Sequence, residues 1–123
     1  MTERSSNFII MEHNGVATVG TRPDLEIDLE RREEFAQAVA GVVGNAACSA
    51  AVIDLSQASF MDCTSLSVLL QARQDMRTHE RALVLDIAGY RTSTIRRLFD
   101  VAGVNDLFFV VDVPPIPGVF LDQ

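Results

Sequence analysis

The stretch from Val52 to Leu66 does most to limit how this chain can fold. Val52-Ile53-Asp54-Leu55 is rich in β-branched and apolar residues. It gives way to polar Ser56, Gln57 and Ser59, and apolar periodicity resumes after Asp62-Cys63-Thr64-Ser65. The pattern is that of a buried strand, a polar loop and a helix that opens at the cluster of small polar residues. A helix N-terminus offers unpaired N–H groups and the positive end of its macrodipole. Asp62, Cys63, Thr64 and Ser65 therefore stand where an anion is stabilised, either a phosphate on a hydroxyl or a thiolate on Cys63.

The rest of the chain repeats this alternation. Residues 8–13 and 16–20 are β-prone runs separated by Asn14-Gly15, a pair that favours the positive φ angles of a type I′ turn and so predicts a hairpin. Pro23 cannot donate to a ladder and breaks the second strand, which suggests a bulge or a reshaped loop. Over residues 29–43, Phe35, Val39, Val42 and Val43 line one helical face with residues 30–34 turned to solvent, and Gly44-Asn45 ends the helix. Residues 51–56 form a strand, and 65–78 a helix with Leu66, Leu69, Leu70 and Met76 inward. Residues 82–87 form a strand whose continuous apolar run predicts cover on both faces. Ser93 is a candidate N-cap for a helix carrying Ile95, Leu98, Phe99 and Ala102. Gly103 ends that helix, and residues 107–111 make the last strand.

The order ββαβαβαβ predicts an α/β fold in which an N-terminal β-hairpin leads into a mostly parallel sheet packed by helices. Residues 1–7 form a polar N-terminal segment, 8–112 the domain, and 113–123 a Pro-rich tail in which Val119-Phe120-Leu121 could dock as an apolar anchor. At 123 residues, one domain burying roughly 65% of its unfolded surface is expected.

Composition narrows the function classes. With a net charge of −7 and scattered basic residues, the chain would be repelled by a phosphate backbone, so no nucleic-acid partner is expected. No apolar run is long enough for a membrane and the N-terminus is polar, so a cytoplasmic protein is expected. Cys48 and Cys63 flank a strand, too far apart to bridge, and no His/Cys cluster has ligand spacing; neither a metal nor a cofactor is expected. A Cys nucleophile would need a base. His79 lies near the far end of its helix and His13 in the hairpin turn, and with no Gly-rich phosphate loop the chain is not expected to be an enzyme.

The segment Val52 to Val68, the run Arg97-Leu98-Phe99-Asp100-Val101-Ala102-Gly103-Val104 and the spacing between them resemble the STAS domain of bacterial anti-sigma factor antagonists. Phe60-Met61-Asp62 followed by small polar residues and Leu66 is the most specific part. Glu26-Ile27-Asp28 resembles a secondary motif that precedes the first helix in that family. The resemblance implies a domain that binds a kinase-type anti-sigma factor, frees its sigma factor and so regulates transcription. In many members the kinase turns the antagonist off by phosphorylating a Ser directly after the Asp.

Here Cys63 occupies that acceptor position, Ser65 stands where Gly is common, and Leu25 replaces a usual Gly. A thiol is not a normal acceptor for a Ser/Thr kinase. Three readings follow: phosphorylation shifts to Thr64, Cys63 is redox-sensitive, or binding is constitutive. The implied partner surface is Asp62, Cys63, Thr64, Ser65 and Leu66, flanked by Ser93. Against it stand plain structural roles, with Asp62 or Thr64 as caps and Cys63 as a small buried hydrophobe. The alternative function is a ligand-sensing or scaffold module with no sigma-factor role. The residues leave the oligomeric state open.

Overall fold

A computed structural model describes residues 2–4, 7–88 and 93–111. The chain runs β1 (Thr2–Arg4), β2 (Phe8–His13), β3 (Val16–Thr21), β4 (Glu26–Ile27), a 3-10 turn (Leu29–Arg31), α1 (Arg32–Val43), β5 (Ala50–Asp54), β6 (Phe60–Met61), α2 (Cys63–Thr78), β7 (Ala82–Asp86), α3 (Ser93–Ala102), a second 3-10 turn (Asn105–Leu107) and β8 (Phe109–Val111). Six strands form one sheet in the order β1-β2-β3-β5-β7-β8. The first two pairings are antiparallel and the other three parallel. The hairpin turns on Asn14 at φ 51° and Gly15 at φ 78°, the two left-handed residues a type I′ turn needs.

The expected α/β architecture is present, with a strand β1 added inside what reads as a polar N-terminal segment. The other added elements are β4 and β6, two short strands that pair only with each other. Neither has the length or alternation that marks a strand in sequence.

Each parallel crossover steps one strand onward in the same direction, so crossovers of one hand bring the helices to one face of the sheet. Burial alternates along β3 and β5: Ala17, Val19, Ala51 and Ile53 are buried and their neighbours are half-buried. The same holds in β7, where Leu85 is buried, Val84 is half-buried and Ala82 is exposed. One face is thus covered and the other partly open, which corrects the two-sided cover read from the apolar run.

Phe35, Val39 and Val42 of α1 pack into the core, and the Phe35 ring lies 5.7 Å from that of Phe8 on β2. A side chain at Gly41 would come within 3.1 Å of Ile10, so the bare glycine lets α1 approach β2 closely. In α2, Ser65, Leu66, Leu69, Ala72 and Met76 face inward. Leu70 is exposed, because its place one residue after Leu69 rotates it about 100° around the helix. In α3, Ile95 and Phe99 are buried while Ala102 is exposed, so the apolar face is narrower than its spacing suggests. Phe99 stacks on Phe108 at 6.2 Å. Each large side chain buried in this way contributes about 1.5–3 kcal/mol.

The C-terminal end of α1 is closed by Arg81. Its guanidinium donates to the carbonyls of Cys48 and Asn45, both at 2.8 Å, and to that of Val43, satisfying acceptors that a helix end leaves open. The tail from residue 113 lies outside the described residues.

Candidate functional site

The 2-stranded sheet is what builds the site. Ile27 of β4 lies opposite Met61 of β6, and the Asp62 N–H donates to the Ile27 carbonyl at 3.1 Å. Two flanking bonds lock the loops together: Asp24 N–H to Gln57 O at 2.8 Å, and Ser59 N–H to Leu25 O at 2.9 Å. The parallel register carries on past the strands, so Asp28 and Asp62 leave the pair side by side. Each then caps a helical start.

Asp62 has extended backbone (φ −87°, ψ 167°). Its Oδ1 accepts from the Ser65 N–H at 2.9 Å and from the Thr64 hydroxyl at 2.8 Å. This is an N-cap bond made by a residue whose backbone stays outside the helix. Burial pushes the carboxyl up, but the Ser65 N–H, the Thr64 and Ser65 hydroxyls and the Thr64 N–H outweigh it and hold Asp62 below its ordinary value. The carboxylate is therefore charged, with Oδ1 engaged by two neutral donors.

Helix α2 begins at Cys63, two residues before the start suggested by its apolar period. Cys63 and Thr64 are exposed, the former as a free thiol. Ser65 is 0% exposed and Leu66 6%, so these two, expected in the contact surface, point into the protein instead. The reason is helical geometry: the residues three and four beyond Asp62 turn toward the sheet, and Ser65 Oγ comes to 3.5 Å from the Ile27 carbonyl. A serine fits where a larger side chain would push β4 away. Cys48, the other cysteine, is buried and free. Burial and neighbouring Glu12 push its thiol up, which keeps it protonated and unreactive.

Of the secondary motif, Glu26 is exposed and Asp28 caps the 3-10 turn. Asp28 Oδ1 accepts from the Arg31 N–H at 3.3 Å, and the Arg31 guanidinium pairs with Oδ2, also at 3.3 Å. Leu29 beside it is 69% exposed. Helix α3 starts at Ser93 and packs on β6, next to the junction. The Ser93 side chain and the preceding residue, where an N-cap would now fall, lie outside the described residues.

From its helical spacing Arg32 belongs among the solvent-facing charges of α1. It is exposed, but it spans to α2: its Nε donates to the Thr64 carbonyl at 3.2 Å and its Nη2 to Ser67 Oγ at 3.3 Å. The available signal was the Arg31-Arg32 pair so soon after Asp28, without any hint of which segment it would meet. Arg32 and Ser67 also stand at one end of an open groove of about 380 Å³ between α1 and α2, floored by Ala36, Val39, Val68 and Ala72. Among the described residues no group of His, Cys, Asp and Glu could hold a metal ion, and no helix is long and apolar enough to cross a membrane.

A pair of short strands that aligns two Asp caps on the flank of a hairpin-led parallel sheet defines a domain class. The family model of the STAS domain matches residues 7–116, and the chain belongs to that family. No curated protein matches it in sequence. Similar solved structures include an anti-sigma factor antagonist from Mycobacterium paratuberculosis, with 24% identity, a TM-score of 0.73 and coverage of 94% of this chain and 90% of that one. The Bacillus cell fate determinant SpoIIAA in its phosphorylated form is 16% identical, with a TM-score of 0.61 and coverage of 94% and 96%. The anti-sigma factor antagonist SpoIIAA in its unphosphorylated form is also 16% identical, with a TM-score of 0.60 and coverage of 86% and 88%. At these identities the likeness is one of fold.

Proposed function

We propose that this STAS domain is an anti-sigma factor antagonist of the bacterial cytoplasm: it binds a kinase-type anti-sigma factor through the exposed start of α2 and so frees the sigma factor that the partner holds. Phosphorylation of Thr64 switches it off. The observation that carries this reading is the exposed Thr64 side chain in the first turn of α2, whose hydroxyl already donates to the Asp62 carboxylate at 2.8 Å. It is an accessible alcohol one residue beyond the acceptor position that Cys63 fills. Adding about two negative charges beside Asp62 would set like charges against each other and place a strongly hydrated group in the interface. The names of the similar structures support the role, and one of them is a phosphorylated form.

The test mixes the purified protein with purified kinase-type anti-sigma factors and a nucleoside triphosphate, then follows complex formation and intact mass. Support would be a complex that dissociates as one phosphoryl group appears on Thr64. Failure to bind any such partner would sink the antagonist role; phosphorylation elsewhere would sink only the switch.

A second reading of the switch has its own observation, the exposed free thiol of Cys63. On that reading peroxide alters partner binding in the wild type and leaves Cys63→Ser unaffected. Sensitivity that persists in Cys63→Ser would exclude it.

A further inference from the structure

Arg32 begins α1, yet both of its contacts lie on α2, and both acceptors are neutral: the Thr64 carbonyl at 3.2 Å and Ser67 Oγ at 3.3 Å. Ser67 donates its own hydroxyl to the same Thr64 carbonyl at 2.7 Å, so that oxygen keeps a donor if Arg32 leaves. Neighbouring Arg31 is occupied with Asp28. An exposed guanidinium with no carboxylate partner among the described residues is thus held directly against the residue whose hydroxyl is the proposed acceptor.

We infer that Arg32 receives a phosphate placed on Thr64, closing a clamp between α1 and α2 that fixes the switched-off surface. This rests on the reading of Thr64 as the acceptor. Transfer of the γ-phosphoryl group from a nucleoside triphosphate on the partner kinase forms the Thr64 Oγ–P bond and breaks the bond from the γ-phosphorus to the bridging oxygen. The nucleoside diphosphate leaves, and the hydroxyl proton passes to base and then to solvent.

The modified Oγ has no proton left to donate, so its bond to Asp62 is lost and the phosphate meets a carboxylate kept charged by the Ser65 N–H. Repulsion turns the phosphate away from Asp62. Arg32 already reaches the carbonyl of the same residue, and it gives up two weak neutral contacts for a charge-assisted pair suited to its forked donors. The surface therefore changes twice, gaining about two negative charges and losing an exposed cation. A partner that docks on the unmodified face meets both changes.

The test needs no kinase. Phosphothreonine is installed at position 64 of the full chain by nonsense suppression, and its second ionisation, ordinarily near pH ~6, is followed by phosphorus NMR. The comparison is between an otherwise unchanged chain and the Arg32→Gln, Arg32→Lys and Arg31→Gln variants. The clamp predicts that Arg32→Gln raises the phosphate pKa by about half to one unit, that Arg32→Lys restores part of the difference, and that Arg31→Gln changes little. Equal titration with and without Arg32 would overturn it, as would an equal effect from Arg31→Gln, which would reduce the interaction to a diffuse field. A kinase that leaves Thr64 unmodified would overturn the proposed switch separately, while this titration still decides the clamp.

Discussion

Asp28 and Asp62 leave a pair of parallel strands side by side, and both cap a helical start, but they do so in different chemical company. Asp28 is neutralised by a cation: Arg31 pairs with its carboxylate at 3.3 Å, and the capping bond is equally long. Asp62 is held by the Ser65 N–H at 2.9 Å and the Thr64 hydroxyl at 2.8 Å, with no cation paired to it among the described residues, and keeps its charge at a half-buried position. The first corner opens a single 3-10 turn before α1, the second a helix of 16 residues. One motif is thus used twice, once as a closed structural turn and once as a charged surface on which a further negative charge matters.

The largest expected effect comes from adding that charge. Thr64→Glu should weaken binding to the anti-sigma partner by about tenfold or more, measured by calorimetry, because a carboxylate placed beside Asp62 is repelled by it and carries a second charge to be desolvated on docking. Leu29→Glu, beside the neutralised Asp28, should cost clearly less. Equal losses at the two corners would break the distinction between them.

Stability should follow the same order. Asp62→Ala removes a short cap bond from a long helix and should cost about 1–2 kcal/mol in chemical denaturation, whereas Asp28→Ala should cost about 0.5 kcal/mol. A larger loss at Asp28 would mean that the 3-10 turn, and not α2, depends more on its cap.

The pH dependence sharpens the contrast. The Asp62 carboxyl is held below its ordinary value in the folded protein, so the unfolded chain takes up its proton first as pH falls. The stabilisation is complete above the ordinary carboxylate range and disappears as pH drops through the lowered folded-state value. Asp62→Asn should flatten that part of an acid unfolding curve. Asp86 behaves oppositely: burial pushes its carboxyl up, the Ala88 N–H counters this in part, and neighbouring Asp54 adds to the rise. Stability should fall as pH rises through its raised value, and Asp86→Asn should be neutral or slightly stabilising at neutral pH.

The smallest effect is expected at the exposed thiol. Cys63→Ser should change stability by less than about 0.5 kcal/mol, while the same change at buried Cys48 should cost about 1–3 kcal/mol, both read from thermal melts.

Much of this architecture can be read from the chain itself. Asn14-Gly15 specifies the hairpin because few other pairs accept two positive φ angles. The periods around Phe35 and Leu69 give α1 and α2, and Asp62 before a run of small residues marks where α2 begins. These are local signals, set by backbone sterics and by which residues recur every third or fourth position. The pairing of Ile27 with Met61, the burial of Ser65 against the Ile27 carbonyl and the reach of Arg32 to Thr64 are not local. They depend on segments more than thirty residues apart being brought together by burial of a common core, a contact that no window of sequence contains. The sequence alone determined the hairpin, the main strands and helices and a polar helix start; only the tertiary structure added the β4–β6 pair and decided that the exposed part of that start is Cys63 and Thr64, bounded by one charged carboxylate and one available arginine.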